Sequence, residues 1–411
     1  MYDDKAFIEL DGRDAALWYL RAECHAAMPP FIRIWKNDPA SLPIFIPATP
    51  SAEFRIRLKS RGARLFCLRE EVQPAAWRPW RFFDQPKLTR LRRFHRYIRY
   101  DDDELNIQPL PRAADGGLDV ARAMRTLAEW GIGAATPTLQ ETLRYEFARP
   151  DDAGAPPLAR PVTIAIVIHL HYDEVWPDFA RRLSRLSVPF DLIVTTNGAR
   201  PERDARIHAD FPEAKIVIYK NRGRDVGPFV QLLRDGHLER YELICKVHGK
   251  RSLALGLRAI FGEVWRLSVL NDLLGSDAAV KAIVNRFLVE PDLGLVGPAH
   301  FRLPNAFRQS YDDTWGRNNE AATKTLAAKL GCPDERFQLD FFAGTMFWIR
   351  KQLLDLLNPL DLTLDSFPDE AGQPDGTLQH ALERLFGALP SLATPAMKTD
   401  GVTWKRSPGE N

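Results

Sequence analysis

Four short runs rich in Val and Ile recur about every 25 residues: "VTIAIVIHL" (162–170), "FDLIVTTN" (190–197), "AKIVIYKN" (214–221) and "YELICKVH" (241–248). Continuous apolar runs of this length read as strands covered on both faces, and the segments between them, such as "WPDFARRLSRL" (176–186), carry helical spacing. Strand alternating with helix implies a mostly parallel, Rossmann-like α/β sheet flanked by helices. Open sheets of this kind bind ligands beyond the carboxyl ends of their strands. That rule gathers His169, His171, Thr196, Asn197, the 221–228 corner and His248 to Lys250 on one rim.

The corner itself, within "IYKNRGRDVGPF" (218–229), packs three charged side chains between an apolar run and a proline. Gly223 permits a turn that a Cβ would hinder, Asp225 can cap a helix, and Pro228 suits that helix's first turn. Arg222 and Arg224 are then expected to aim across the rim, with Asn221 beside them. Guanidinium groups match phosphate oxygens bidentately, so an anion is the natural guest. The structural alternative is that Arg224 and Asp225 form an ion pair supporting the turn. "CKVHGKRS" (245–252) adds Lys246, His248, Lys250 and Arg251 at a strand end, a cationic set suited to a leaving diphosphate.

"FFAGTMFWIRK" (341–351) is a strand-like aromatic run broken by Ala343, Gly344 and Thr345, which permits close backbone approach to a ligand. In "FPDEAGQPDGTLQHALERLF" (367–386), Glu370 and Asp375 fall on a polar loop. The following stretch looks helical, with His380 and Glu383 one turn apart. A carboxylate here can deprotonate an acceptor hydroxyl; the alternative is a helix-start cap.

The amino-terminal part is read as a smaller α/β region. "SLPIFIPATPSAEFRIRLKSRGARLFCL" (41–68) suggests a short strand, a helix begun near Ser51 and a second strand at Leu65 to Leu68. Residues 77–100 follow, where eight Arg or Lys, interleaved with aromatics, face the single acid Asp84. An anionic membrane surface, nucleic acid or an ordinary solvated helix each suits that mixture. The formal charge of only +2 disfavours nucleic acid. Residues 105–118 read as aperiodic, 119–149 as helical, and "RPDDAGAPPLARP" (149–161) as a linker. The expected domains are 1–110, a connector at 111–160, the α/β domain at 161–400 and a tail at 401–411.

The four cysteines are scattered, with neither CxxC pairs nor disulfide-scaffold density. The start "MYDDKAFIEL" places Asp3 and Asp4 where a signal peptide carries positive charge, and no run approaches the roughly 18 apolar residues that cross a bilayer. A cytoplasmic protein is expected, able to sit peripherally on the inner membrane face.

In order, "NRGRDVGPF", "YELICKVHGKRS", "FFAGTMFWIRK" and "EAGQPDGTLQHALER" resemble the rhamnan synthesis protein F family of bacterial polysaccharide glycosyltransferases, over about residues 160 to 390. The order is also similar to the GT-A plan of family 2 glycosyltransferases, with Arg224-Asp225-Val226-Gly227 at that plan's Ala-Arg-Asn-x-Gly helix start. Where the plan has an Asp-x-Asp metal site, this chain has Val247-His248-Gly249-Lys250, which leaves a role for Mg or Mn open. The resemblance implies transfer of a sugar, with dTDP-rhamnose as a candidate donor, to a growing surface glycan on a lipid carrier. By that similarity Glu370 or Asp375 is the base. His171, Asn197, Asn221, Arg222, Gly223, Arg224, Asp225, His248 and Lys250 bind the donor, and Gly344, Thr345 and His380 wall the acceptor. The competing readings are an inactive module that binds glycan or nucleotide sugar, a transferase for another sugar, and a nucleic-acid-binding protein built on 77–100.

Overall fold

The computed structural model describes residues 156–249, 257–304, 315, 318–333, 337–370 and 375–403, with the shorter stretches 7–11, 17–23, 31–39, 41, 43–47, 51–58, 62–69, 78–79, 98–99 and 105–110. The chain forms two compact units, Met1–Arg149 with Arg251–Ser268, and Pro150–Lys250 with Val269–Asn411.

Nine strands are described in the first unit: β1 (Phe7–Asp11), β2 (Leu17–Glu23), β3 (Phe31–Lys36), β4 (Ile44–Pro47), β5 (Ser51–Leu58), β6 (Arg64–Leu68), β7 (Arg78–Pro79), β8 (Ile98–Arg99) and β9 (Leu105–Leu110). They pair antiparallel in the orders β1-β6-β3-β4 and β7-β2-β5-β9-β8. The helix expected from Ser51 is therefore a strand. Ala52, Phe54, Ile56 and Leu58 alternate with Glu53, Arg55 and Arg57, a period of two that suits a pleat and not a helix. Ile56 stands opposite Trp18 on one side and Ile107 on the other. Leu105–Leu110, expected to be aperiodic, is likewise drawn into the sheet by β5. The helical reading of 119–149 and most of 77–100 lie outside the described residues.

The second unit holds β10 (Ile164–His169), β11 (Asp191–Thr196), β12 (Lys215–Ile218), β13 (Leu243–His248), β14 (Leu293–Pro298), β15 (Arg302–Leu303), β16 (Phe341–Phe342), β17 (Phe347–Arg350) and β18 (Lys398–Val402). Seven of these make a sheet of order β12-β11-β10-β13-β17-β14-β18, in which only β17 runs antiparallel to its neighbours. Its helices are α1 (Trp176–Leu183), α2 (Pro201–Asp210), α3 (Val226–Arg234), α5 (Asp277–Val289), α6 (Asn319–Lys329), α7 (Lys351–Leu354) and α8 (Leu378–Leu392), while α4 (Leu257–Leu274) is divided between the two units at Ser268. This is the mostly parallel, helix-flanked α/β arrangement expected from the sequence.

β10 and β13 are buried at every position, which is why their sequences do not alternate. One core joins Val167, Ile244 and Phe347 of the sheet to Phe229 of α3 and Phe386 of α8. The Phe386 ring lies 5.9 Å from Phe229 and 5.6 Å from Phe347. Packing α3 and α8 together carries the start of each helix to the carboxyl ends of β10 and β13, and so assembles the rim.

Candidate active site

The corner after β12 is built by two consecutive left-handed residues, Gly223 (φ 66°) and Arg224 (φ 55°). A Cβ on Gly223 would stand 2.5 Å from the Phe367 ring, so glycine is required by both conformation and space. The Gly223 carbonyl accepts from the N–H groups of Val226 (3.0 Å) and Gly227 (2.9 Å), and α3 begins. Asp225 occupies the cap position of α3, yet its side chain caps no N–H group. That expectation is corrected by where the carboxylate goes instead.

Asp225 Oδ2 accepts from Lys246 Nζ and from Thr345 Oγ1, each at 2.5 Å. The ammonium also donates to the Thr345 carbonyl at 2.9 Å, and sits 5.4 Å from the centre of the Phe229 ring. Burial alone would raise the Asp225 carboxyl. Nearby His248 and Lys246, with the hydrogen bonds from Lys246 and Thr345, outweigh it and hold the group well below the usual carboxylate range. Lys246 was expected among the cations facing a diphosphate. It is instead a buried residue of β13 spent on this cluster, because its position in the middle of the strand points it inward.

Arg224 turns the other way. Its Nε lies 3.2 Å from Glu370 Oε2 and its Nη2 3.4 Å from Oε1, a forked pair, while Nη1 meets His380 Nε2 at 3.2 Å. Arg224 and Asp225 thus pair with different partners, and the alternative of a mutual ion pair does not hold. Since Arg224 donates to Nε2 of His380, the imidazole proton is assigned to Nδ1, which faces Thr377 Oγ1 at 2.8 Å. Burial, followed by the Arg224 charge, pushes the His380 pKa down, so the ring is neutral. Arg222 is held by Asp365 (3.3 Å) and Asp369 (2.8 Å).

Further along the rim, His248 Nε2 lies 2.8 Å from the Gly344 carbonyl, and the Gly344 N–H donates to Glu383. Gly344 and Thr345 both have positive φ, 92° and 51°. Asn197 Nδ2 bridges His171 Nδ1 (2.8 Å) and Asn221 Oδ1 (2.9 Å), and Asn197 Oδ1 is buried without a hydrogen-bond partner. His169 closes β10 against Thr195 Oγ1 at 3.0 Å; burial pushes its pKa down to about 3.

The expected residues fall into three neighbouring clusters: Arg224 with Glu370 and His380, Asp225 with Thr345 and His248, and Asn197 with His171 and Asn221. Asp375 acts on His380 through its charge, which favours the protonated ring. It accepts from the buried Asn319 side chain and, at 3.2 Å, from the Gly376 N–H, as a residue fixing the entry to α8 does. Lys250 lies outside the described residues. The acids Asp365 and Asp369 enter the site without having been singled out in the sequence, whereas Lys246, expected among the rim cations, and Glu383, noted only as one turn from His380, enter it with partners the sequence did not indicate.

Among the described residues of the rim, the donor set does not suit a divalent cation. Asp225 Oδ2 is already taken by an ammonium and a hydroxyl, and His248 Nε2 by a carbonyl. Among the described residues no three His, Cys, Asp or Glu side chains gather as a metal site would require.

A mostly parallel α/β sheet with charged groups at its carboxyl rim defines the class. The chain belongs to the rhamnan synthesis protein F family, whose model matches residues 144–393. It is 30% identical over 268 residues to the uncharacterized protein WxcX of Xanthomonas campestris pv. campestris strain B100; the match covers 63% of this chain and 36% of that protein. The chain therefore spans about a third of the length of the curated relatives it matches. Among solved structures it is similar to the mannosyltransferase PcManGT from Pyrobaculum calidifontis in complex with GDP-Man and Mn2+, at 16% identity over 69% of this chain and 65% of that one, with a TM-score of 0.33. It is also similar to glucosyl-3-phosphoglycerate synthase from Mycobacterium tuberculosis in complex with Mn2+, UDP and glucosyl-3-phosphoglycerate, at 11% identity over 60% and 73% of the two chains, with a TM-score of 0.29.

Proposed function

We propose that this chain is a glycosyltransferase that moves a sugar from a nucleotide-sugar donor to an acceptor hydroxyl by direct displacement. The observation that carries the reading is Glu370, a partly exposed carboxylate held in the fork of Arg224 beside neutral His380, at the rim where this type of sheet binds ligands. Glu370 takes the proton of the acceptor hydroxyl. The acceptor oxygen bonds to the anomeric carbon as the bond from that carbon to the diphosphate oxygen breaks, and the diphosphate leaves with both electrons. Arg224 and His248 stabilise its charge, with Lys250 a further candidate by sequence. Gly344 and Thr345, whose backbone turns sharply beside His248, line the acceptor's approach.

Family membership supports a surface glycan as the product, and we assign rhamnose as the sugar, dTDP-rhamnose as the first donor to test and a lipid-linked glycan as the acceptor. No described helix is long and apolar enough to cross a membrane. The basic and aromatic segment 77–100 suits attachment to the anionic cytoplasmic face, where such acceptors are met. The test is transfer by the purified full chain, supplied with nucleotide sugars and a lipid-linked or soluble glycan acceptor and read by mass spectrometry. A product gaining one sugar, abolished by Glu370→Gln, supports the proposal. Donor binding without turnover on any acceptor would favour a nucleotide-sugar-binding module instead. Vesicle co-sedimentation that is unchanged when the arginines of 77–100 become serine removes the membrane attachment.

A further inference from the structure

Resting on that reading, we infer that Glu370 is an internal anion: it fills the guanidinium fork of Arg224 until the donor's diphosphate displaces it, so that donor binding itself releases the base.

Three features carry this. The first is that all four acids of the stretch 361–370 pair with arginines of the corner and α3: Asp361 with Arg234, Asp365 and Asp369 with Arg222, and Glu370 with Arg224. The second is that this stretch is anchored independently of those charges. Phe367 is buried beneath Gly223, and the Leu364 N–H donates to Gln231 Oε1 at 2.7 Å. Its ion pairs can therefore exchange without the backbone coming away.

The third feature is the contrast between adjacent residues. The side chains of Lys246 and Asp225 are 2% and 15% exposed, so separating them would strand a buried charge. Those of Arg224 and Glu370 are 39% and 22% exposed, where screening makes an ion pair weak and exchangeable. Glu370 uses both oxygens on Nε and Nη2, the pattern that two phosphate oxygens would adopt. Its carboxylate and a diphosphate thus compete for one fork. Once displaced, Glu370 keeps its charge and has lost the Arg224 cation from both oxygens, which makes it a better proton acceptor. The exchange breaks and forms only hydrogen bonds, and sets an order in which the donor binds before the acceptor is activated.

The experiment is titration calorimetry of UDP, GDP, dTDP, CDP and ADP into the full chain at low salt, for wild type, Glu370→Gln, Arg224→Gln and the double variant, each checked for folding by circular dichroism. The expected result is that Glu370→Gln binds the preferred diphosphate about two- to fivefold more tightly, the equivalent of one exposed ion pair. Arg224→Gln should bind it more weakly, and the double variant no more tightly than Arg224→Gln. Unchanged or weaker binding by folded Glu370→Gln overturns the exchange while leaving the transferase reading intact. Tightening that persists without Arg224 overturns it as well. No binding of any diphosphate by wild type and Glu370→Gln removes both the donor site and the exchange.

Discussion

Lys246 Nζ lies 2.5 Å from Asp225 Oδ2, joining the middle of the buried strand β13 to the cap position of α3, the helix that follows the edge strand β12. With Thr345 on the same oxygen, one carboxylate ties together three segments far apart in sequence. Removing the cation alone would leave that carboxylate buried without its charge partner. Lys246→Met is therefore expected to lose roughly 3–5 kcal/mol of stability. Adding Asp225→Asn should recover part of the loss, measured by urea denaturation as a double-mutant cycle. Equal stability of Lys246→Met and wild type would show that the pair is not a structural tie.

Glu370 and Asp375 are separated by their partners. Glu370→Gln is expected to lower turnover by about 10²–10⁴-fold, the range for loss of a general base. Asp375→Asn should stay within about tenfold of wild type in turnover, because its oxygen serves Asn319 and Gly376 at the entry to α8. The reverse ranking in a steady-state assay would move the base to Asp375.

His169 sets a pH limit on stability. Its folded pKa is pushed down to about 3 by burial, while the unfolded side chain titrates near about 6.5. Below about 6.5 the unfolded chain takes up a proton that the folded one refuses. The contribution is thus fully present above that pH and is lost as pH falls toward 3. The loss should reach about 2 kcal/mol at pH 5 relative to pH 8. His169→Gln should flatten that part of the urea-denaturation profile; an identical pH slope in the variant would exclude His169 as its source.

Two glycines isolate conformation from contact. Gly198 (φ 112°) has nothing within 4 Å of an added Cβ, whereas at Gly223 (φ 66°) the Cβ would meet Phe367. Gly198→Ala is expected to cost about 1 kcal/mol from backbone strain, and Gly223→Ala at least about 2 kcal/mol. Gly223→Ala should also weaken diphosphate binding, since Arg224 depends on this turn. Thermal melts and calorimetry of the two variants check the ranking.

The parallel sheet and its rim were legible because they rest on local chemistry. Four apolar runs named the strands, and the rule for open sheets placed His169, Asn197, the corner and His248 at one end of them. The left-handed turn at Gly223 and the break at Gly344 were likewise visible as glycines in charged or aromatic surroundings. In the amino-terminal unit, Ser51–Leu58 carried its own answer in a two-residue alternation that a helical reading passed over.

What tertiary structure alone decided is the pairing of charges. Arg222, Arg224, Asp225 and Lys246 lie within 25 residues of one another, and any of several ion pairs among them would satisfy the sequence. The packing of α3 and α8 over the sheet selects among those pairs. It brings Thr345 to Asp225 from 120 residues away and Glu370 to Arg224 from 146 residues away. Coulomb attraction is indifferent to sequence separation and depends on distance and burial, so the roles of these charges followed from the fold and could not precede it.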